Sequence, residues 1–239
     1  PSTEENGTII VSGITEGTGY SITFAVPCET LVVSGSSPAC EPPPSLVINE
    51  VDYDETGNDE KEFVEIKNTG ATPVDLAGLK LVLVNGSTDS PYNTFVLNSV
   101  SLAAGDYYVV GSALVPNVDQ VAWTSNGIQN GAPDGVRLTT ANDVVIDQMS
   151  YEGNMSSTEG TGAGTDPGDG IGASLGRIPD GVDTDDNSVD FFLACSTPGE
   201  ANIFEDADLD GTPDCLDLCP GGPEPGSPCD DGLASTADD

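Results

Sequence analysis

The acidic residues near the C-terminus have the spacing of ligands in a metal-binding loop. Residues 206–217 read DADLDGTPDCLD. In a calcium loop the ligands stand at positions 1, 3, 5, 7, 9 and 12, with a glycine at position 6 where the chain turns sharply. The glycine here is Gly211. The residues at the six ligand positions are Asp206, Asp208, Asp210, Thr212, Asp214 and Asp217. Carboxylate and carbonyl oxygens suit Ca²⁺, so this spacing predicts a calcium site.

The residues around this loop differ from the helices that flank an EF-hand. Pro213 and Pro220 break any helix, and Cys215 and Cys219 interrupt the run. The segment resembles a thrombospondin type 3 repeat, in which calcium loops and disulfides replace most of the hydrophobic core. The alternative is a solvated acidic linker. The closing residues, 226–239, look like the start of a further Cys-rich module.

Two more acidic groups are candidate metal sites. The first is the segment DGVDTDDNSVD, whose candidate ligands are Asp180, Asp183, Asp185, Asn187 and Asp190. Its alternate residues 183, 185 and 187 could line one ion. The second surrounds the turn at 54–60, and its candidate ligands are Asp52, Asp54, Asp59 and Glu62. Asp and Asn are also ordinary turn residues, so the alternatives are an acidic turn and a plain acidic hairpin.

The charge balance of the chain excludes several classes of partner. There are 41 acidic residues against 5 basic ones, and the formal net charge is −36 at pH 7. Nucleic-acid affinity comes largely from Lys and Arg, so we expect no nucleic-acid partner. Anionic lipid would also repel this surface, and no apolar run is long enough for a membrane span. Bound divalent cations would relieve the self-repulsion, and a halophile-like solvated surface is the alternative.

Catalysis is not expected from this chain. It has no histidine, which excludes Ser-His-Asp and Cys-His nucleophilic systems. Its few basic residues are scattered, so neighbouring residues cannot form a phosphate clamp. A glycosidase with paired carboxylates is formally possible, but carboxylate pairs arise by chance in so acidic a chain.

The cysteines indicate an oxidising compartment. The six positions are Cys28, Cys40, Cys195, Cys215, Cys219 and Cys229. A bridge between Cys40 and Cys195 would join the first and last strands of the central domain, which leaves the three C-terminal cysteines to other partners. Sequence alone does not determine the connectivity.

The strand pattern predicts an all-β chain in four parts. Residues 1–40 carry strands at 8–14, 20–26 and 30–35, typical of the C-terminal part of an immunoglobulin- or fibronectin-like domain. The stretch EPPPS at 41–45 is a Pro-rich linker. Residues 46–203 alternate in about eight strands and fit a two-layer β-sandwich, in which 157–190 is expected to be a long loop without strands. Residues 204–239 form the calcium repeat and the start of the next module.

The central part resembles a known family. The opening LVINEVDYDETGNDEKEFVEIKNTG and the later IQNGAPDGVRLTT, DVVIDQMSYEG and SLGRIPDGVDTDDNSVDFFLACSTPGEAN occur in the order found in lamin-tail domains of bacterial secreted proteins. The resemblance covers residues 46–203 and implies an immunoglobulin-like β-sandwich without catalytic residues.

Together these patterns predict a non-catalytic, calcium-stabilised structural or adhesion segment of a large secreted or cell-surface bacterial protein, resembling those of Bacteroidetes. Since the chain begins at Pro1 and the first domain has only half its strands, we expect a piece of a longer polypeptide. The expected partners are neighbouring domains of the same polypeptide, extracellular surfaces, glycans or other copies of the chain. The alternatives are an accessory domain of a secreted nuclease or phosphatase and a carbohydrate-binding module.

Overall fold

The computed structural model describes residues 44–55, 57–168, 172–207, 209 and 211–217, and the backbone of four strands before residue 44. The chain divides into two units, Pro1–Pro43 and Pro44–Asp239. This division falls within the stretch in which we predicted a linker. Among the described residues, no helix has the length and apolar character needed to cross a membrane.

The described strands of the first unit form two antiparallel pairs. The short strands β1 (Ser2–Thr3) and β2 (Ile9–Ile10) pair with each other. The longer strands β3 (Gly19–Val26) and β4 (Glu29–Ser36) form a hairpin in register along their whole length. The predicted strands at 20–26 and 30–35 correspond to β3 and β4. The strand predicted at 8–14 is described only at β2.

The described residues of the second unit form two main sheets and one short helix. Its strands are β5 (Leu46–Asp52), β6 (Phe63–Asn68), β7 (Val74–Asp75), β8 (Lys80–Asn85), β9 (Ser90–Val96), β10 (Ser101–Leu102), β11 (Tyr107–Gly111), β12 (Gln120–Val121), β13 (Asp134–Thr139), β14 (Val145–Tyr151), β15 (Ala173–Arg177) and β16 (Phe191–Cys195). The helix α1 (Asn187–Asp190) precedes β16. One sheet has six strands in the order β12-β11-β6-β5-β15-β16, and the other has four in the order β14-β13-β8-β9. Strands β7 and β10 form a separate pair.

The core lies between the two main sheets. Alternate residues of a strand point to opposite faces, so one residue in two enters the core. From the six-stranded sheet these include Ile48 and Ile66, and from the four-stranded sheet Leu83, Leu138 and Tyr151, all fully buried in one cluster. The predicted all-β, immunoglobulin-like sandwich is therefore confirmed.

Strand β15 corrects one expectation. We predicted a long loop without strands over 157–190, but Ala173–Arg177 pairs with β5 on one side and β16 on the other. The segment ASLGR shows no alternation because all five of its residues are buried. Gly176 has no side chain because the amide of Asn202 packs against it, about 3.0 Å from where a Cβ would stand.

A buried arginine joins the two sheets. Arg177 of β15 is 0% exposed, and its Nε donates to the carbonyl oxygen of Ile48 in β5 at 2.7 Å. Its Nη2 contacts the Asp147 carboxylate at 3.2 Å, and that carboxylate belongs to β14 in the other sheet and accepts the backbone N–H of Ile48 at 2.6 Å. Its Nη1 donates to Asp190 of α1 at 2.8 Å. The guanidinium carbon lies 4.5 Å from the centre of the Phe191 ring. One side chain thus holds two sheets and a helix together.

We expect Arg177→Met to lower the free energy of unfolding by about 3–5 kcal/mol, because Asp147 and Asp190 would stay buried without their positive partner. The control is Lys80→Met, which removes an ion pair whose Asp143 side chain is 77% exposed and should cost less than about 1 kcal/mol. Urea unfolding followed by Trp123 fluorescence measures both variants. Equal losses in the two variants would contradict the structural role of Arg177.

Candidate metal sites

The C-terminal acidic loop is attached to the sandwich by a disulfide. Cys195, the last residue of β16, is bonded to Cys215, and their Cα atoms are 5.6 Å apart. The bridge that we considered between Cys40 and Cys195 is therefore wrong. Sequence spacing missed the real pair because only the fold brings the end of β16 next to the loop. Cys28, Cys40, Cys219 and Cys229 lie outside the described residues.

The described part of this loop is folded back on itself. The Asp206 carboxylate accepts the backbone N–H of Gly211 at 2.9 Å, and the Asp214 carboxylate accepts that of Ala207 at 2.8 Å. Gly211 has φ +92, a conformation that a residue with a side chain rarely adopts, which explains the glycine at position 6. Candidate ligands Asp208 and Asp210 lie outside the described residues. Thr212 and Asp217 belong to the described part, and the ion itself stays a prediction.

Asp180, from the second acidic group, lies in a polar network on the outer face of the six-stranded sheet. Its carboxylate pairs with Lys67 and accepts hydrogen bonds from Asn49 at 2.9 Å and Tyr107 at 2.8 Å. Burial opposes ionisation of Asp180, but these hydrogen bonds outweigh it and lower the pKa of the carboxyl. Asp180 thus already has a cationic partner.

The rest of the second group surrounds Arg177. Asp183 and Asp190 both contact the guanidinium, at 3.2 and 2.8 Å. The carbonyl oxygen of the Asn187 side chain accepts the N–H of Ser150 at 2.9 Å. Asp185 is exposed, with φ 58. Residues 183, 187 and 190 therefore already have partners within the protein. A shared ion at 183, 185 and 187 stays a prediction.

One trio of carboxylates in the described part of the chain could hold an ion. Asp147, Glu159 and Asp183 each offer one oxygen, and these lie within 4.8 Å of one another. Burial raises the pKa of Asp147 to about 6 and that of Glu159 to about 8. Arg177 already contacts Asp147 and Asp183, so part of this negative charge is neutralised. Sequence reasoning included only Asp183, because Asp147 and Glu159 are distant in the chain.

The third acidic group is divided between different partners. Asp54 and Asp59 meet at the amide of Asn130, which donates to them at 2.9 and 3.1 Å. The Glu62 carboxylate accepts the backbone N–H groups of Gly127 and Ile128 at 2.6 and 3.0 Å. Burial raises the pKa of Glu62 to about 7 despite these bonds. The fourth member, residue 52, has none of these contacts.

Asp52 stands at the end of β5 and lines a cavity together with Glu55. It is 4% exposed. Burial, with the nearby Asp166 and Glu55 carboxylates, raises the pKa of Asp52 to about 9. Spacing alone grouped this residue with 54, 59 and 62, whereas the structure separates it from them. Glu55 was not among the predicted ligands.

Sequence reasoning also missed two buried glutamates that attach the segment after β16 to the outer face of the sheet. Glu50 accepts the N–H of Thr197 at 2.8 Å, and Glu65 accepts that of Gly199 at 2.6 Å. Both glutamates are 0% exposed. They point to the outer face of β5 and β6, which in an antiparallel sandwich would ordinarily be solvated. The sequence LVINEVD of β5 contains three polar residues, and only the structure shows that all seven of its residues are buried.

Comparison of the sequence with known protein families agrees with this architecture. Residues 41–153 match the family model described as Lamin Tail Domain. This match confirms the lamin-tail resemblance for that segment, which includes strands β5 to β14. The lamin tail domain is an immunoglobulin-like structural domain and not a catalytic family. No curated protein matched the chain.

We expect the double variant Cys195→Ala/Cys215→Ala to lose about 3 kcal/mol of stability, because the disulfide closes a loop with a sequence separation of 20. Urea unfolding measures the loss. Peptide mapping without reduction should recover a fragment that joins the two cysteines. A fragment joining Cys40 to Cys195 would contradict the structure.

Glu65 should make the protein less stable as the pH rises. Burial, with Glu50 nearby, raises the pKa of Glu65 from 4.5 to about 8. Between these values the folded chain retains a proton that the unfolded chain has released. The free energy of unfolding therefore falls with increasing pH, by at most about 1.4 kcal/mol per pH unit for one group.

The measurement is urea unfolding at several pH values between 5 and 8 in chelator. The Glu65→Gln variant should show a shallower decrease than the wild type, because its side chain does not titrate. The control is Glu60→Gln, which makes the same side-chain substitution at an exposed position. An unchanged slope in Glu65→Gln would show that this carboxyl does not contribute.

Proposed function

We propose that this chain is a non-catalytic, calcium-stabilised structural and adhesion segment of a secreted or cell-surface bacterial protein. Its lamin-tail segment supplies a rigid β-sandwich. The loop at 206–217 then binds Ca²⁺ and stiffens the connection to whatever follows the sandwich. The partners that we propose are neighbouring domains, extracellular surfaces, glycans or other copies of the chain.

The main support for this proposal is the attachment of the acidic loop to the sandwich. The Cys195–Cys215 disulfide joins the loop to the end of β16. Within the loop, Asp206 and Asp214 are each hydrogen-bonded to a backbone N–H of the same loop. A cation bound there would act on a segment already joined to the last strand, so it would restrict how that segment moves relative to the sheet.

The charge of the chain supports a need for cations. With a formal net charge of −36, the folded state concentrates negative charge that the unfolded state spreads out. A ligand that binds only the folded state at a hundredfold excess over its Kd adds about 2.7 kcal/mol. Domains have a total stability of only about 5–15 kcal/mol, so one or two ions would change the folded fraction substantially.

We expect a melting temperature about 5–10 °C higher in calcium than in chelator, and a much smaller rise in magnesium. Native mass spectrometry should find at least one calcium ion per chain. The variant Asp214→Asn should lose an ion and part of the thermal shift. The control Asp106→Asn changes the same charge at an exposed position and should keep both.

Two results would contradict the proposal. The first is a protein whose melting temperature is the same in calcium, magnesium and chelator and which carries no ion. The second is an equal thermal shift in Asp214→Asn and Asp106→Asn, because general screening of the acidic surface would then explain the effect of the salt.

A further inference from the structure

A cavity of about 200 Å³ lies at the end of β5. Polar and apolar residues from four segments of the chain line it. These are Asp52, Glu55, Lys61, Phe63, Val115, Pro116, Gly172, Ser196 and Pro198. A water molecule takes up about 30 Å³ in the liquid, so the cavity has room for a small ion with several waters.

One wall of this cavity is a buried carboxylate with an unsatisfied oxygen. Asp52 is 4% exposed, and its Oδ1 is buried without a hydrogen-bond partner in the structure. Buried polar atoms nearly always have a partner, and a carboxylate without one is costly. The protein contacts around Asp52 therefore do not compensate for the burial of this oxygen. In contrast, the carboxylates of Glu50, Glu62 and Glu65 all accept hydrogen bonds.

The charges near Asp52 are mainly negative. Asp166, Glu55, Glu50 and Glu62 all act on it electrostatically, and after burial they are the next causes of its raised pKa. Lys61 lines the cavity but is exposed, and among the described residues it forms no ion pair. Around this cavity, the carboxylates therefore outnumber the positively charged side chains.

Glu55 is held in place at the same cavity. Its carboxylate Oε2 accepts the backbone N–H groups of Glu60 and Lys61, both at 2.9 Å. Its own backbone N–H donates to Asp59 at 2.9 Å. These bonds connect Glu55 to residues 59–61, and Glu55 itself lines the cavity.

We propose that this cavity is a binding site for a partly hydrated divalent cation, with Asp52 and Glu55 as its two carboxylate ligands. A cation would give the buried oxygen of Asp52 the partner that it lacks. Divalent cations that keep part of their hydration shell are commonly held by one or two carboxylates, with water completing the coordination. Hard oxygen ligands favour Ca²⁺ or Mg²⁺ over softer transition metals.

This site differs from both sites that the sequence suggested nearby. It excludes Asp54, Asp59 and Glu62, whose carboxylates bind Asn130 or the backbone at 127–128. Neither Asp52 nor Glu55 belongs to the loop at 206–217, so the proposal stands whether or not that loop binds calcium.

The test is to count bound ions by native mass spectrometry on the full chain, titrated with calcium chloride and, separately, with magnesium chloride. We expect Asp52→Asn to carry one ion fewer than the wild type in at least one of the two titrations. The matched control is Asp54→Asn, which makes the same side-chain substitution two residues away and should carry the wild-type number. The variant Asp214→Asn reports on the other loop, so the two sites are counted independently.

A second measurement distinguishes loss of the ion from misfolding of the variant. In chelator, Asp52→Asn should melt at or above the wild-type temperature, because it replaces a buried acid by a neutral side chain. The wild type should then gain more from the cation than the variant does. An unchanged ion count in Asp52→Asn, or an equal loss in Asp52→Asn and Asp54→Asn, would overturn the proposal. Loss of an ion in Asp214→Asn alone would leave the calcium loop supported and this site rejected.

Discussion

The sandwich depends most on the ion pairs that Arg177 makes in its interior. The guanidinium is fully buried and contacts Asp147 from the opposite sheet and Asp190 from α1. The chain has only five basic residues, and one of them is buried here among carboxylates. This burial indicates that the position requires a positive charge. Burying a pair of charges adds little net stability, but removing one partner is very costly. We therefore regard Arg177 as the residue that determines how the sheets and the helix fit together.

The same acidity has a different consequence on the outer face of the six-stranded sheet. Glu50 and Glu65 are buried beneath the segment that follows β16 and hold it by accepting its backbone N–H groups. Burial raises the pKa of both, to about 7 and about 8. The protein thus uses carboxylates as acceptors for backbone donors where other sandwiches leave a solvated face. This use also makes the folded state sensitive to pH.

The buried and half-buried carboxylates of the described residues differ in their partners. Some are neutralised by a basic side chain, such as Asp180 by Lys67. Others accept backbone donors, such as Glu62. Asp52 has neither kind of partner at its buried Oδ1. The missing partner of Asp52, and not the density of acidic residues, distinguishes the proposed cation site from the many acidic turns around it. It also explains why spacing along the chain was a poor guide to which carboxylates belong together.

The sequence by itself determined the all-β class, the sandwich and the lamin-tail segment, because strand alternation and turn residues are local patterns in the chain. It also located the acidic loop at 206–217, whose predicted ligands are close in sequence. Only the tertiary structure decided the pairing of Cys195 with Cys215, the burial of strand β15, and the separation of Asp52 from Asp54, Asp59 and Glu62. Each of these depends on contacts between segments far apart in the chain. In so acidic a sequence, spacing alone cannot tell which carboxylate is left without a partner.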